Sequence, residues 1–312
     1  ALTYARTFEE EDGRSEMIAQ AISALAQSDP QAALQEATRL EPGRAQTSAM
    51  RSVVSAWANK DPAEAAAFVE SIEDPITQEA AISSLLNTWV GTDIQAAANY
   101  AAGLPPGEAV EQGMSRIGYS WGNRNPEEAL AWAANLEDDS ASRSFLQGVM
   151  NQWAERSPED AAAGLAESAI AGDHEAAYSN IASHWARRDT EAAANWAAGI
   201  PGETSRGAAY SAVVSQWADS DPAAAGAWIE QMPEGRPRDQ AVEAFGRELL
   251  NVDPATSLGW IETMSDPDQR WEALQELSEQ WHGRDPGAAQ AWIDGNGSLT
   301  PAQKDELLAT GD

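Results

Sequence analysis

The sequence predicts an all-α protein, an α-solenoid of about nine helix-turn-helix repeats with a capping helix at each end. Three observations predict this class. A large apolar residue, usually tryptophan, recurs every 32 residues. A helix-start signal follows it four residues later, and apolar residues at helical spacing precede it. No stretch alternates between apolar and polar residues for long enough to indicate a β-strand.

The recurring apolar residue, here called the anchor, defines the repeat. Seven of the nine anchors are tryptophan, and no insertion interrupts the count. The anchors, which are the first residues of the repeats, are Leu25, Trp57, Trp89, Trp121, Trp153, Trp185, Trp217, Leu249 and Trp281. We therefore predict a lead-in and capping helix in residues 1–24 and a nine-repeat solenoid in residues 25–312.

Each anchor is followed by signals for the start of a short helix. Four residues after it comes a residue that favours the helix N-cap, because its side-chain oxygen can accept from a first-turn amide. These residues are Asp29, Asp61, Asp93, Asn125, Ser157, Asp189, Asp221, Asp253 and Asp285. Proline follows in seven of the nine repeats and suits the first helical position, where no amide donor is needed.

Two further positions of the short helix are distinctive. Eight residues after the anchor the residue is small, alanine in eight repeats and Ser257 in the other, which predicts close contact with a neighbouring helix. Eleven residues after the anchor the residue is aromatic in seven repeats. The exceptions are Glu36 and Gly164, and we expect Gly164 to leave a gap or a groove.

A second, longer helix completes each repeat after a turn containing proline or glycine. Its apolar residues stand seven and four positions before the next anchor, as Ile82 and Leu85 do before Trp89, which makes one helical stripe. Residues 14–27 are predicted to form the N-terminal capping helix, and residues 301–309 a polar capping helix.

This unit resembles the tetratricopeptide-like (TPR or Sel1-like) helical repeats. The segments Asp221–Met232 and Asn125–Leu130 carry the resemblance, which covers residues 25–312. The repeat departs from that family in its period of 32 rather than about 34 residues, in its missing glycine and tyrosine, and in its anchor tryptophan. The resemblance implies a right-handed superhelix that binds partners on an inner face lined mainly by the short helices.

The chain is strongly acidic, with a formal net charge of −31, and its only lysines are Lys60 and Lys304. Such a charge disfavours binding to nucleic acid or to an anionic membrane surface. It favours a cationic partner, a cation-rich medium, or simply solubility.

Cysteine is absent, which excludes disulfides and thiolate metal sites. No run of 18 apolar residues indicates a membrane span, so we expect no membrane insertion. Because the chain begins at Ala1, we expect a mature extracellular or periplasmic protein after signal removal, with the cytoplasm of a salt-adapted organism as the alternative.

No combination of residues indicates catalysis. His174, His184 and His282 fall in different repeats without a second histidine at metal-ligand spacing, which favours structural or surface roles. A phosphate-binding glycine loop and a nucleophile elbow are both missing. The thirteen tryptophans lie on apolar stripes and are predicted to be core. We therefore predict no catalytic, cofactor or metal residues, and we leave the partner-binding residues unassigned.

Three functions fit this sequence. The first is a non-enzymatic scaffold that binds a protein or peptide, basic in character, through an acidic solenoid surface. The second is a structural subunit of an extracellular assembly or filament, formed when solenoid ends stack by self-association. The third is carbohydrate binding by exposed tryptophans.

Overall fold

The structure is a computed structural model that describes residues 11–41, 43–137, 140–168, 170 and 174–309, with side chains from residue 17 to residue 308. These residues form 19 α-helices and no β-strand. The all-α, solenoid-like fold predicted from the sequence is confirmed. Residues 1–10 of the predicted lead-in lie outside the described residues.

Long and short helices alternate along the chain. The long helices have 12 to 18 residues. They are α1 (Glu11–Ser28), α3 (Arg44–Ala58), α5 (Pro75–Thr92), α7 (Glu108–Arg124), α9 (Ser140–Arg156), α11 (Glu175–Ala186), α13 (Glu203–Ser220), α15 (Arg236–Leu249) and α17 (Pro267–His282).

The short helices have 8 to 10 residues, and each begins 32 residues after the previous one. They are α2 (Pro30–Ala37), α4 (Pro62–Glu70), α6 (Ile94–Ala102), α8 (Pro126–Ala133), α10 (Pro158–Glu167), α12 (Thr190–Ala198), α14 (Pro222–Ile229), α16 (Pro254–Ile261) and α18 (Pro286–Gly295). The final helix, α19, spans Pro301–Ala309, as predicted.

The predicted N-caps account for the regular start of the short helices. In eight of them the Asp or Asn side chain accepts a hydrogen bond from the amide three residues later, as Asp61 does from Glu64 at 2.9 Å. Ser157 differs, because its hydroxyl donates to Asp160 Oδ2 at 2.7 Å. Removal of such a cap typically costs about 1 kcal/mol.

The small residue of each short helix is fully buried, as its size predicts. The nine residues, each 0 % exposed, are Ala33, Ala65, Ala97, Ala129, Ala161, Ala193, Ala225, Ser257 and Ala289. Ser257 is the polar exception, and its hydroxyl donates to the carbonyl oxygen of Gly246 on α15 at 2.6 Å. The position therefore accepts a hydroxyl only where a carbonyl is within reach.

The chain divides into two compact units, residues 1–152 with 168–171 and residues 153–167 with 172–312. In the first unit, α1, α3, α5 and α7 pack side by side in chain order. Each of the short helices α2, α4 and α6 contacts the long helix before it and the long helix after it. Neighbouring repeats of this unit therefore pack directly against one another.

The second unit is built in the same way. Helices α11, α13 and α15 pack side by side, and α12 and α14 each contact the long helices that flank them. One apolar cluster extends from Ala182 on α11 to Leu307 on α19. Helix α19 packs on α17 and α18 and buries Leu307 in this cluster, while most of its remaining described side chains are polar.

Basic side chains connect successive repeats of the chain. Three residues after the anchor, Lys60 donates to the carbonyl oxygen of Ser28 at 3.2 Å, and Arg188 donates to that of Arg156 at 2.8 Å. Each bond reaches the equivalent loop 32 residues earlier, where helix carbonyls need partners. At the same position Val252 cannot donate, and it is 83 % exposed.

The expectation of a gap beside Gly164 was wrong. A Cβ at Gly164 would collide with the indole of Trp153, the anchor of the same repeat, whose atom Cζ3 would be 2.6 Å away. Trp153 thus occupies the space that an aromatic side chain takes in other repeats, and it is only 6 % exposed. The indole of Trp153 fills the space beside Gly164, because an unfilled void there would cost the surrounding side chains their packing contacts.

Candidate functional site

The tryptophans are packing residues. Trp89, Trp121, Trp153 and Trp281 are buried, which confirms the prediction that they are core. The other nine are half-buried, so for them the prediction is confirmed only in part. In six repeats the anchor ring packs on the aromatic ring eleven residues later, with centroids 5.5 to 6.3 Å apart. The pairs are Trp57–Phe68, Trp89–Tyr100, Trp121–Trp132, Trp185–Trp196, Trp217–Trp228 and Trp281–Trp292.

In two repeats the anchor indole also has a polar neighbour on the short helix. Nε1 of Trp57 donates to Oε2 of Glu64 at 3.2 Å, and Nε1 of Trp121 donates to Oε2 of Glu128 at 3.3 Å. Both acceptors stand seven residues after their anchor. In these two repeats the anchor indole therefore contacts the side chains seven and eleven positions further along the chain.

The repeat that begins at Leu249 breaks this pattern and contains an open pocket. Leu249 replaces the anchor indole, while Trp260 keeps its place and meets Phe245 edge-on at 5.1 Å. The pocket, of about 360 Å³, lies between α14 and α16 above α15. Its lining residues are Pro222, Ala223, Gly226, Ala227, Glu230, Phe245, Leu249, Thr256 and Trp260. We call it the Leu249 pocket.

Small residues on α14 form one wall of the Leu249 pocket and leave space beside that helix. A Cβ at Gly226 would come within 3.1 Å of Cζ2 of Trp260, so glycine lets that indole lie close to the helix. Ala223 and Ala227 on the same helix are exposed and add little bulk. The exposed carboxylate of Glu230, the C-cap residue that follows α14, also lines the pocket. The pocket is thus mainly apolar, with an acidic edge.

A second, polar groove lies on the long helices of the first unit. It has a volume of about 460 Å³ and is lined by Ser23, Gln27, Ser48, Arg51, Ser52, Ser55 and Ser84. Its hydroxyls already have partners, since Ser84 donates to the carbonyl oxygen of Arg51 at 2.8 Å and Ser55 bonds with Thr88 at 3.0 Å. These bonds join α3 to α5, which makes the serines packing residues of adjacent helices.

Several of the basic residues donate to backbone carbonyls. Five arginines donate to carbonyl oxygens that follow or end helices, at 2.8 to 3.4 Å: Arg188, Arg206, Arg238, Arg270 and Arg284. Ion pairs of described residues include Arg39 with Glu36 at 2.7 Å. The guanidinium of Arg247 also pairs with both Glu243 and Glu276, each at 2.8 Å.

Burial and charge shift the titration of two side chains. Partial burial opposes the charge of Arg247, but hydrogen bonds and the charges of Glu243 and Glu276 hold its pKa above the usual value. Burial lowers the pKa of His184, and the nearby charge of Arg187 lowers it further. Its Nδ1 lies 2.6 Å from Nη2 of Arg187. His184 is therefore a neutral partner of Arg187, consistent with a structural role.

Tyr100 provides a pH prediction. Its hydroxyl is buried without a hydrogen-bond partner among the described residues, and burial, followed by the charge of Glu70, raises its pKa to about 12. The unfolded chain releases this proton near pH 10, so the contribution of Tyr100 to stability is present below about pH 10 and is lost as the pH rises towards about 12. Difference absorbance between the protein and Tyr100→Phe should place the ionisation near the upper value. A midpoint near 10 would contradict this.

Within the described parts of the chain, no group of three or more histidine, aspartate or glutamate side chains is placed to hold a metal ion. His174 begins α11 and His282 ends α17, so the structure does not bring the histidines into one repeat. Among the helices that the structure describes, none is long and apolar enough to cross a membrane.

Comparison with known proteins leaves the family open. No protein-family model matches the sequence, and no curated protein matches it. Among solved structures, the chain is similar to Ton1535 from Thermococcus onnurineus NA1, at 14 % identity and a TM-score of 0.32. That alignment covers 99 % of this chain and 93 % of the other.

Proposed function

We propose that this protein is a non-enzymatic helical-repeat scaffold that binds a protein or peptide rich in basic residues. The observation that carries the proposal is the excess of acidic residues. With 50 acidic against 19 basic residues, the chain has a strongly negative field that favours a cationic partner. Five of the arginines donate to backbone carbonyls at helix ends, which gives them a structural role within the scaffold.

The architecture supports a polypeptide as the partner. Short helices of 8 to 10 residues begin every 32 residues, so equivalent surface positions recur along each unit at regular intervals, which suits an extended chain. The tetratricopeptide-like resemblance favours the same function. The buried and half-buried tryptophans favour it over carbohydrate binding, which needs indole faces open to solvent.

A salt series tests the proposal. A fluorescently labelled peptide of lysine, arginine and tryptophan should bind, and its Kd should rise at least about tenfold between about 0.01 M and 1 M salt, as the Debye length falls from about 30 to about 3 Å. A peptide of equal length made of glycine, serine and tryptophan is the control and should not bind measurably. Absence of binding by the basic peptide at low salt, or a Kd that ignores salt, would contradict the proposal.

A further inference from the structure

The Leu249 pocket matches the space that an anchor indole fills elsewhere. In the repeats of Trp57 and Trp121 that indole is bounded by the residues seven and eleven positions later. In the repeat of Leu249 these two positions are Thr256 and Trp260, and both line the pocket. The pocket is therefore bounded by the same repeat positions as the indole sites, but the indole is missing.

The two repeats that lack one member of the aromatic pair behave differently. Where Gly164 removes the later aromatic residue, the anchor Trp153 moves over the glycine and the space is filled. Where the anchor is Leu249 and the anchor indole is therefore missing, Trp260 lies against Gly226 and Phe245, and a pocket of about 360 Å³ is open. Apolar cavities of only about 150 Å³ can bind a benzene ring, so this volume is ample for an aromatic side chain.

We propose that the Leu249 pocket binds an aromatic side chain, preferentially the indole of a tryptophan, from a basic polypeptide partner. The half-buried Trp260 offers a ring surface for packing, and Leu249 adds an aliphatic one. Phe245 is only 2 % exposed and supports the indole of Trp260 from within. The Thr256 hydroxyl, which donates to Asp253 Oδ2 at 2.7 Å, keeps its lone pairs for the indole N–H. It thereby takes the part that the carboxylates of Glu64 and Glu128 play for the anchor indoles.

The acidic edge of the pocket selects the residues that flank the indole. Glu230 is exposed at the C-cap of α14 and lines the pocket, so a lysine or arginine next to the bound tryptophan would approach a carboxylate. This inference rests on the proposed function, since it names the residue that a basic partner inserts. The occupant of the pocket is a partner polypeptide and not a second copy of this chain.

The variant that tests the inference is Leu249→Trp, which restores the repeat pattern and fills the pocket from within. We expect it to fold and to weaken binding of the basic tryptophan peptide at least about tenfold. Ile76→Trp adds the same residue at a site on α5 that is 74 % exposed, and it should leave the affinity unchanged. Ala227→Leu narrows the pocket from an exposed position and provides a second test if Leu249→Trp does not fold.

Changes in the peptide complete the test. Replacement of the peptide's tryptophan by alanine should weaken binding to the unaltered protein about tenfold. In a separate NMR titration, free indole should shift the methyl resonances of Leu249 through its ring current. Glu230→Gln should weaken binding of the basic peptide but not of indole.

The outcomes separate this inference from the proposed function. If the basic peptide binds with the expected salt dependence, but neither its tryptophan nor Leu249→Trp affects affinity, the inference is wrong and the function stands. If the protein alone dimerises and Leu249→Trp abolishes dimerisation, the occupant is a second copy and the inference is overturned. If no basic peptide binds, the proposed function fails first, and indole shifts at Leu249 alone would then mark a small-molecule pocket instead.

Discussion

Gly148→Ala and Gly118→Ala should each lower the free energy of unfolding by about 1–3 kcal/mol or more, because the added methyl group meets backbone rather than a movable side chain. A Cβ at Gly148 would lie 2.8 Å from the amide nitrogen of Tyr119 and closer still to the carbonyl oxygen of Ser115. At Gly118 it would lie 2.9 Å from the carbonyl carbon of Phe145. Helices α7 and α9 are in backbone contact at these glycines and must separate to admit alanine.

The measurement is chemical unfolding followed by tryptophan fluorescence. The control is Gly91→Ala on α5, where a Cβ would meet nothing within 4 Å. Alanine is the better helix former, so this variant should be unchanged or more stable by at most about 1 kcal/mol. Equal stability of Gly148→Ala and Gly91→Ala would refute the close contact between α7 and α9.

Asp239→Ala should lower the stability of the second unit by about 2 kcal/mol, within the range for loss of an acceptor that leaves partly buried donors unpaired. The carboxylate is 0 % exposed at the start of α15. It accepts from the amide of Ser265 at 2.8 Å, from the hydroxyl of the same serine at 2.7 Å and from the amide of Asp266 at 2.9 Å. Asp266 in turn caps α17, so the loss should affect the start of that helix.

Amide hydrogen exchange would locate the effect. Protection from exchange should fall first at residues 265–270. The matched control is Asp219→Ala, at an exposed position of α13. It should leave the exchange pattern unaltered and change the free energy of unfolding by no more than about 0.5 kcal/mol. If Asp239→Ala leaves the exchange of α17 unaltered, the carboxylate does not hold this turn.

The features that could be predicted from the sequence are those that local chemistry determines. An N-cap residue marks the start of a helix through its own side chain, and in seven repeats a proline with its fixed φ follows it. The first residue of every short helix was therefore predictable. The small residue eight positions after the anchor indicated close packing for the same reason. Its full burial at nine positions confirms that pattern.

Other features depend on which neighbour faces a residue, and the sequence does not contain that information directly. Gly118, Gly148 and Asp239 lie outside the repeat pattern, and each acts through partners 26 to 33 residues away. Gly164 and Leu249 were visible as exceptions. Whether an exception is filled, as at Gly164, or left open, as at Leu249, depends on how far the neighbouring indole can move. The Leu249 pocket could have been suspected from the missing tryptophan, but it could not have been distinguished from a collapsed site.

The central claim is that this acidic chain acts as a separate molecule that offers its surface to a basic polypeptide. Sedimentation of the chain with a labelled basic tryptophan peptide, at low and at high salt, tests it most directly. We expect a 33.2 kDa monomer at every salt concentration, with peptide bound at low salt and released at high salt. Growth of the chain into long assemblies as salt screens its charge, with no peptide bound at low salt, would contradict the scaffold function and favour the filament.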